Sequence, residues 1–224
     1  MELAVQIKMN EKLFLRNPEL SELGRNIIKY SVVMIREKGF EDFTFKKLAL
    51  RIGTTEASIY RYFENKHRLL IYIVAWYWSY LEYKVVFYTQ NLATPETRLK
   101  KIIELLAKPV TDDFSTDYID EKLVYEVAVW EGSKAYLTKH VSKDNKDRLF
   151  KPYKDLCGRI ASIITEFNPK YKYPRSLSST LLEMAHYQRF FMNNLPSLTD
   201  FGEDKSEERL YQFLYQLVFD SLKK

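Results

Sequence analysis

The sequence predicts an all-α protein: an N-terminal three-helix unit built around a helix-turn-helix, followed by a larger helical body. Three observations predict it. Glycine and proline number only six and seven in 224 residues while 46% of the chain is hydrophobic, a composition that favours helices over a turn-rich β fold. Apolar residues recur at steps of three and four through most of the chain, and no segment alternates as a strand would. Between Thr44 and Phe63, two short capped segments flank a glycine at the spacing of a helix-turn-helix.

Residues 1–17 have no clear period, and residues 1–20 are expected to be an N-terminal arm. A first helix is predicted from Pro18 or Ser21 to Lys38, because Leu23, Ile27, Ile28, Val32 and Ile35 share one face and Gly39 supplies a left-handed stop. Thr44 is a good N-cap for a helix over 45–52, since its hydroxyl can accept from an unpaired N–H of the first turn. Gly53 ends that helix, and Thr54 or Thr55 caps the next, over 56–63. Leu48, Ala49, Ile52, Ile59 and Phe63 then face one another and the first helix, which leaves Glu56, Ala57, Ser58, Tyr60, Arg61 and Tyr62 for a surface. Residues 21–68 are expected to form this first domain and residues 69–224 the helical body.

The body opens with a long helix from Lys66 to about Gln90. Thr94-Pro95-Glu96, a cap followed by proline at the first helical position, starts another that ends near Lys108-Pro109. Further helices are predicted over 117–131, 133–141, 145–167, 175–194 and 206–222, punctuated by Asn168-Pro169, Tyr173-Pro174 and Leu195-Pro196. The last has an acidic, capped start at Ser206-Glu207-Glu208. Trp76, Tyr80, Phe87, Trp130, Tyr136, His140, Tyr187, Phe190 and Phe191 are candidates to line an apolar ligand pocket between helices; a closed aromatic core is the alternative.

The net charge of +5 is unevenly placed. Residues 1–70 hold thirteen basic against nine acidic side chains, and 44–68 alone hold six (Lys46, Lys47, Arg51, Arg61, Lys66, Arg68) against two (Glu56, Glu64). Such local excess is what a phosphate-facing surface requires, although a solvated charged face has the same composition.

Other classes fare poorly. A single cysteine, Cys157, permits no intramolecular disulfide, and with three scattered histidines it makes no Cys-rich zinc site. The six glycines are too widely spaced for a phosphate-cradling loop. Cys157 with His140 or His186 is more simply a small core residue than a nucleophile with its base. Glu183 lies three residues before His186, but the second such pair of a di-iron bundle is absent. No enzyme, cofactor or metal is expected. Charges within the first dozen residues interrupt any apolar leader, and Glu82 and Lys84 interrupt the most apolar stretch, so a cytoplasmic protein with no membrane span is expected.

Several segments together resemble the N-terminal domain of TetR/AcrR-type transcriptional regulators over about residues 22–72. They are Arg25-Asn26-Ile27-Ile28, Lys38-Gly39-Phe40, Thr44-Phe45-Lys46-Lys47-Leu48-Ala49, Ile52-Gly53, Ile59-Tyr60-Arg61-Tyr62-Phe63 and Asn65-Lys66 with Leu69-Leu70. The resemblance is specific because these features coincide at fixed distances. Departures are Thr54 where the family often has valine, and Tyr62 where it usually has histidine; both bear on which bases are read. The resemblance implies a homodimer on near-palindromic double-stranded DNA, acting as a repressor and released by a small-molecule effector in the C-terminal domain. It further implies dimerisation through the helices over 175–194 and 206–222, with Leu181, Leu182, Phe190, Leu210, Phe213, Leu214, Leu217 and Val218 as the apolar stripe. The rival function is a helical small-molecule-binding protein with no transcriptional role.

A recognition helix presents its first residues to base edges while its neighbours hold the phosphates. Thr54, Thr55, Glu56, Ala57 and Ser58 are therefore the base-edge or adjacent backbone candidates. Ser58 can donate or accept, Ala57 can touch a thymine methyl, and Glu56 can accept from a cytosine amine or turn away from the phosphates. Thr44, Lys46, Tyr60, Arg61, Tyr62 and Lys66 are the phosphate candidates. Lys66 opens the fourth helix, where its ammonium and the unpaired N–H groups would meet one phosphate.

Overall fold

A computed structural model describes residues 7–110 and 118–223, and every regular element among them is helical. The chain packs as two compact units, residues 1–80 with 110–152 and residues 81–109 with 153–224. These packing units cut the chain differently from the boundaries read in the sequence at 20/21 and 68/69, because the long fourth helix contributes its first turns to one unit and its last to the other.

In the first unit, α1 (Glu22–Asp42) is capped by Ser21, whose hydroxyl accepts from the Gly24 N–H. The regular helix breaks at Gly39, whose φ of 78° is the left-handed stop expected there, and one further turn beyond the kink runs to Asp42. The buried Glu131 carboxylate accepts the Phe40 N–H at 2.9 Å across that kink, so α6 (Glu121–Glu131), which packs on α1, satisfies a donor the kink exposes. Thr44 caps α2 (Phe45–Arg51) and Thr55 caps α3 (Glu56–Tyr60). Gly53 turns between them at φ 65°, and the Thr54 N–H returns to the Ala49 carbonyl at 3.0 Å. Ile27, Ile28, Ile35, Leu48, Ile59 and Phe63 close a common core, each at most 1% exposed.

α4 (Lys66–Thr89) follows. Asn65 caps it, its side chain accepting from the Arg68 N–H. The unit is completed by α7 (Ser133–Tyr136), shorter than the helix expected over 133–141, and by the short α8 (Val141–Lys146), with the region 137–140 between them non-helical; the helix expected over 145–167 begins at Lys151 and ends at Phe167 as expected. The helix expected to begin at residue 117 begins at Glu121; residue 117 itself lies outside the described residues, as do residues 1–6 of the expected arm.

The rest of the arm is ordered against the helix-turn-helix. Asn10 and Asn17 cap short 3-10 turns at Glu11–Leu13 and Pro18–Leu20, and Leu13 is 1% exposed. The Asn10 side chain also donates to the carbonyls of Asp147 and Arg148, and Lys12 pairs with Asp147 at 2.6 Å. Pro18 lies so close to Gly24 that a Cβ there would stand 2.2 Å from the proline carbonyl oxygen.

In the second unit α5 (Pro95–Ala107), α9 (Lys151–Phe167), α10 (Pro174–Asn194) and α11 (Glu207–Leu222) supply a core that includes Ile102, Ile160, Leu181, Leu182, Leu214 and Val218. α11 packs on both α5 and α10. Most of the apolar stripe expected to join two protomers is thus spent inside one: Leu181, Leu182, Leu210, Leu214 and Val218 are fully buried here. The large hydrophobic side chains these helices leave exposed are Tyr187 and Phe213. His186 and Arg189 are buried on α10, and Arg189 donates to the Ala107 carbonyl at the end of α5. No helix among the described residues is long and apolar enough to cross a membrane.

Candidate nucleic-acid interface

The two short helices present a small polar surface. Thr55, Glu56 and Ala57 are exposed at the start of α3 and Ser58 is half-buried. The Thr55 hydroxyl accepts the Ser58 N–H at 3.2 Å and shares a hydrogen bond with the Ser58 hydroxyl at 2.9 Å, so the two side chains hold each other in one arrangement. Thr54 is half-buried in the turn. Thr44 accepts the Lys47 N–H as the cap of α2, which leaves its hydroxyl proton to donate outward. Tyr60 is 46% exposed with its ring edge-on to Phe45 at 5.0 Å, which anchors the ring and leaves the hydroxyl at the surface.

The basic residues divide by what already holds them. Lys66 is turned inward: its ammonium donates to the carbonyls of Phe40, Glu41 and Phe43 at 3.0, 3.0 and 3.1 Å and lies over the Phe40 ring. Lys47 donates to the Asp42 carbonyl, Arg51 pairs with Glu37 at 3.5 Å, and Arg68 pairs with the buried Asp144 at 3.0 Å. Lys46 and Arg61 are exposed and make no ion pair among the described residues. The segmental charge excess is real, but four of its six cations already have partners within the chain, Lys66 and Arg68 in part-buried sites and Lys47 and Arg51 at the surface.

Tyr62, a phosphate candidate from the sequence, is 2% exposed, and its hydroxyl is 2.7 Å from that of Ser21. The Leu15 N–H donates to the Tyr62 carbonyl at 2.8 Å, and the Arg16 guanidinium lies over the Tyr62 ring at 5.3 Å. Of the named candidates, the structure gathers Thr44, Lys46, Thr55, Glu56, Ala57, Ser58, Tyr60 and Arg61 at the helix-turn-helix surface and turns Tyr62 and Lys66 away from it. The segment bearing Arg16 has no periodicity, and Asn17-Pro18, an Asx cap followed by proline, is the local sign that it is folded.

The pocket candidates fall in both units. Trp76 and Tyr80 are buried and stacked at 5.4 Å, and Tyr187 and Phe191 stack at 6.2 Å. Tyr136 is half-buried, edge-on to Phe150. Trp130, under the Arg36 guanidinium, is 39% exposed, Phe87 is 52% exposed, and His140 is exposed. None of them lines the groove of about 680 Å³ in the second unit, whose walls include Lys100, Lys101, Glu104 and Tyr211.

The model of the family described as "Bacterial regulatory proteins, tetR family" matches residues 27–73, from α1 into the first turns of α4. No curated protein matches the chain by sequence. Solved structures share its fold at low identity. AibR in complex with isovaleryl coenzyme A and operator DNA has a TM-score of 0.60 and 17% identity, covering 87% of this chain and 98% of that one. A Saccharomonospora viridis protein in complex with choline has a TM-score of 0.59 and 18% identity, covering 87% and 94%. The superantigen PfiT has a TM-score of 0.59 and 16% identity, covering 89% and 96%. Since one fold spans such different proteins, the likeness bears on architecture alone, and the family match falls on the helix-turn-helix. Residues 27–73, set on this fold, are therefore what links the chain to the tetR family of bacterial regulatory proteins.

Proposed function

We propose that the protein is a ligand-responsive transcriptional repressor that binds a near-palindromic operator as a homodimer. The observation that carries this is the start of α3: in a domain matched to the family, Thr55, Glu56 and Ala57 are exposed and rigidly capped, with Lys46 and Arg61 unpaired beside them. Such a surface can set a helix end in the major groove while cations and hydroxyls hold the flanking phosphates. The relative AibR, seen with both operator DNA and an acyl coenzyme A, supports the pairing of a DNA head with an effector-binding body. A dimer through α10 and α11 would use the large hydrophobic side chains those helices leave exposed, Tyr187 and Phe213. An effector acts by favouring one spacing of the two reading heads over another.

The test is selection of duplexes from a random library by the full chain, followed by titration of the selected sequence against salt. An enriched inverted repeat bound by two protomers supports the reading, and Ala57 or Ser58 substitutions are then expected to change the preferred base, at about 1–3 kcal/mol per lost base contact. Binding that stays blind to sequence at moderate salt would sink it.

A further inference from the structure

We propose that Arg16, on the segment preceding α1, is a further phosphate-contacting residue that takes the surface place expected of Tyr62. The inference rests on the DNA-binding reading above. Tyr62 is sealed in, its hydroxyl engaged with Ser21, and cannot reach a phosphate without losing that partner. Above the same ring stands the exposed guanidinium of Arg16. The neighbouring backbone is tied to the end of the recognition segment by the Leu15 N–H on the Tyr62 carbonyl.

The segment that carries Arg16 is built, not trailing. Asn17 caps the following turn, the Glu19 carbonyl accepts from Arg25, the Glu19 carboxylate accepts from the Tyr72 hydroxyl at 3.0 Å, and Pro18 rests on Gly24 where no side chain larger than glycine's would fit. A cation held this way loses little freedom when it meets an anion. Its charge is also unspent: Lys12 of the same segment is neutralised by Asp147, whereas Arg16 makes no ion pair among the described residues. With Lys46 and Arg61 it belongs to the cations at this surface that the protein leaves unpaired. A guanidinium held over a tyrosine ring by cation–π attraction keeps N–H groups available for a phosphate oxygen.

The test uses the full chain and a duplex selected by it, with fluorescence anisotropy over a range of salt concentrations. Arg16→Gln is expected to weaken binding without changing the preferred sequence and to reduce the salt slope by about 0.9, so that affinity falls about 3.5-fold less than wild type between 50 and 200 mM salt. Arg16→Lys, which keeps the charge, is expected to restore the slope. Ser21→Ala, which removes the Tyr62 partner but no charge, is expected to leave the slope unchanged. Selective wild-type binding with an unaltered slope in Arg16→Gln overturns the proposal, as does an equal loss of slope in Arg16→Lys, which would mark a packing role. Absence of selective binding by the wild type would instead overturn the regulator reading, a result distinct from either.

Discussion

Replacing Lys66 by methionine separates two roles that the sequence alone does not distinguish. The ammonium sits among three carbonyls, those of Phe40, Glu41 and Phe43, where α1 ends and the chain turns into α2. Hydrogen bonds from a charged donor contribute about 1.5–3 kcal/mol each, but one ammonium serves all three here and the Glu41 carbonyl has the wettest surroundings. The Phe40 ring beneath the ammonium adds about 0.5–1 kcal/mol. Methionine keeps the stem and loses the donors, so the expected cost is roughly 2–3 kcal/mol. For a chain of this size that corresponds to a fall of roughly 4–12 °C in the melting midpoint. Circular dichroism melts and urea titrations of the full chain measure it. A variant with unchanged stability that binds DNA with a flattened salt slope would refute the inward placement and restore Lys66 to the phosphates.

Other perturbations test other joints. Gly53→Ala puts a side chain at φ 65° with nothing within 4 Å of it, so its cost of about 1–2 kcal/mol is backbone strain alone, and Gly53→Asn is expected to cost less; urea midpoints distinguish them. Asp144→Ala strands Arg68 in a site where its side chain is 14% exposed, and is expected to cost about 3 kcal/mol, with Glu64 at 3.8 Å too exposed to compensate; a loss under about 0.5 kcal/mol would contradict the pairing. Burial, aided by the Arg189 charge, lowers His186 to about 4 from an ordinary 6.5. The unfolded chain therefore binds the extra proton first as pH falls. The associated stability is complete above about pH 6.5 and is lost progressively toward pH 4, by at most roughly 3 kcal/mol, and His186→Gln is expected to flatten that part of a stability-against-pH curve.

How legible each part was depended on the range of the forces that set it. Thr44, Gly53 and Thr55 act on backbone within four residues of themselves, so α2, the turn and α3 could be read directly from their spacing. The kink at Gly39 was only half legible: the glycine marks the break, but the turn continues because Glu131, 91 residues away, accepts the Phe40 N–H. The arm fails as a pattern for the same reason. Leu13 is buried and Asn10 and Lys12 are bound, yet their partners Asp147 and Arg148 lie more than 130 residues on, and a segment folded by distant contacts needs no period of its own. Charge suffers likewise, since counting cations by segment cannot register the Glu37, Asp144 and carbonyl partners that occupy Arg51, Arg68 and Lys66.

In the body the difficulty was of another kind. From Leu69 to Trp78 every residue of α4 is buried, so the helix has no polar face against which an apolar stripe could be recognised. A helix enclosed all round offers aromatic residues at every angle, and Trp76 and Tyr80, stacked on each other at 5.4 Å, satisfy the packing needs of a core as well as they would line a ligand site. What separates the two is polarity that packing does not require. Helix α10 holds such polarity in the buried His186 and Arg189, where neutral aliphatic side chains would serve a core at lower cost. Aromatic spacing does not register Arg189, whose buried guanidinium is tied to the Ala107 carbonyl at the end of α5, 82 residues away in the chain.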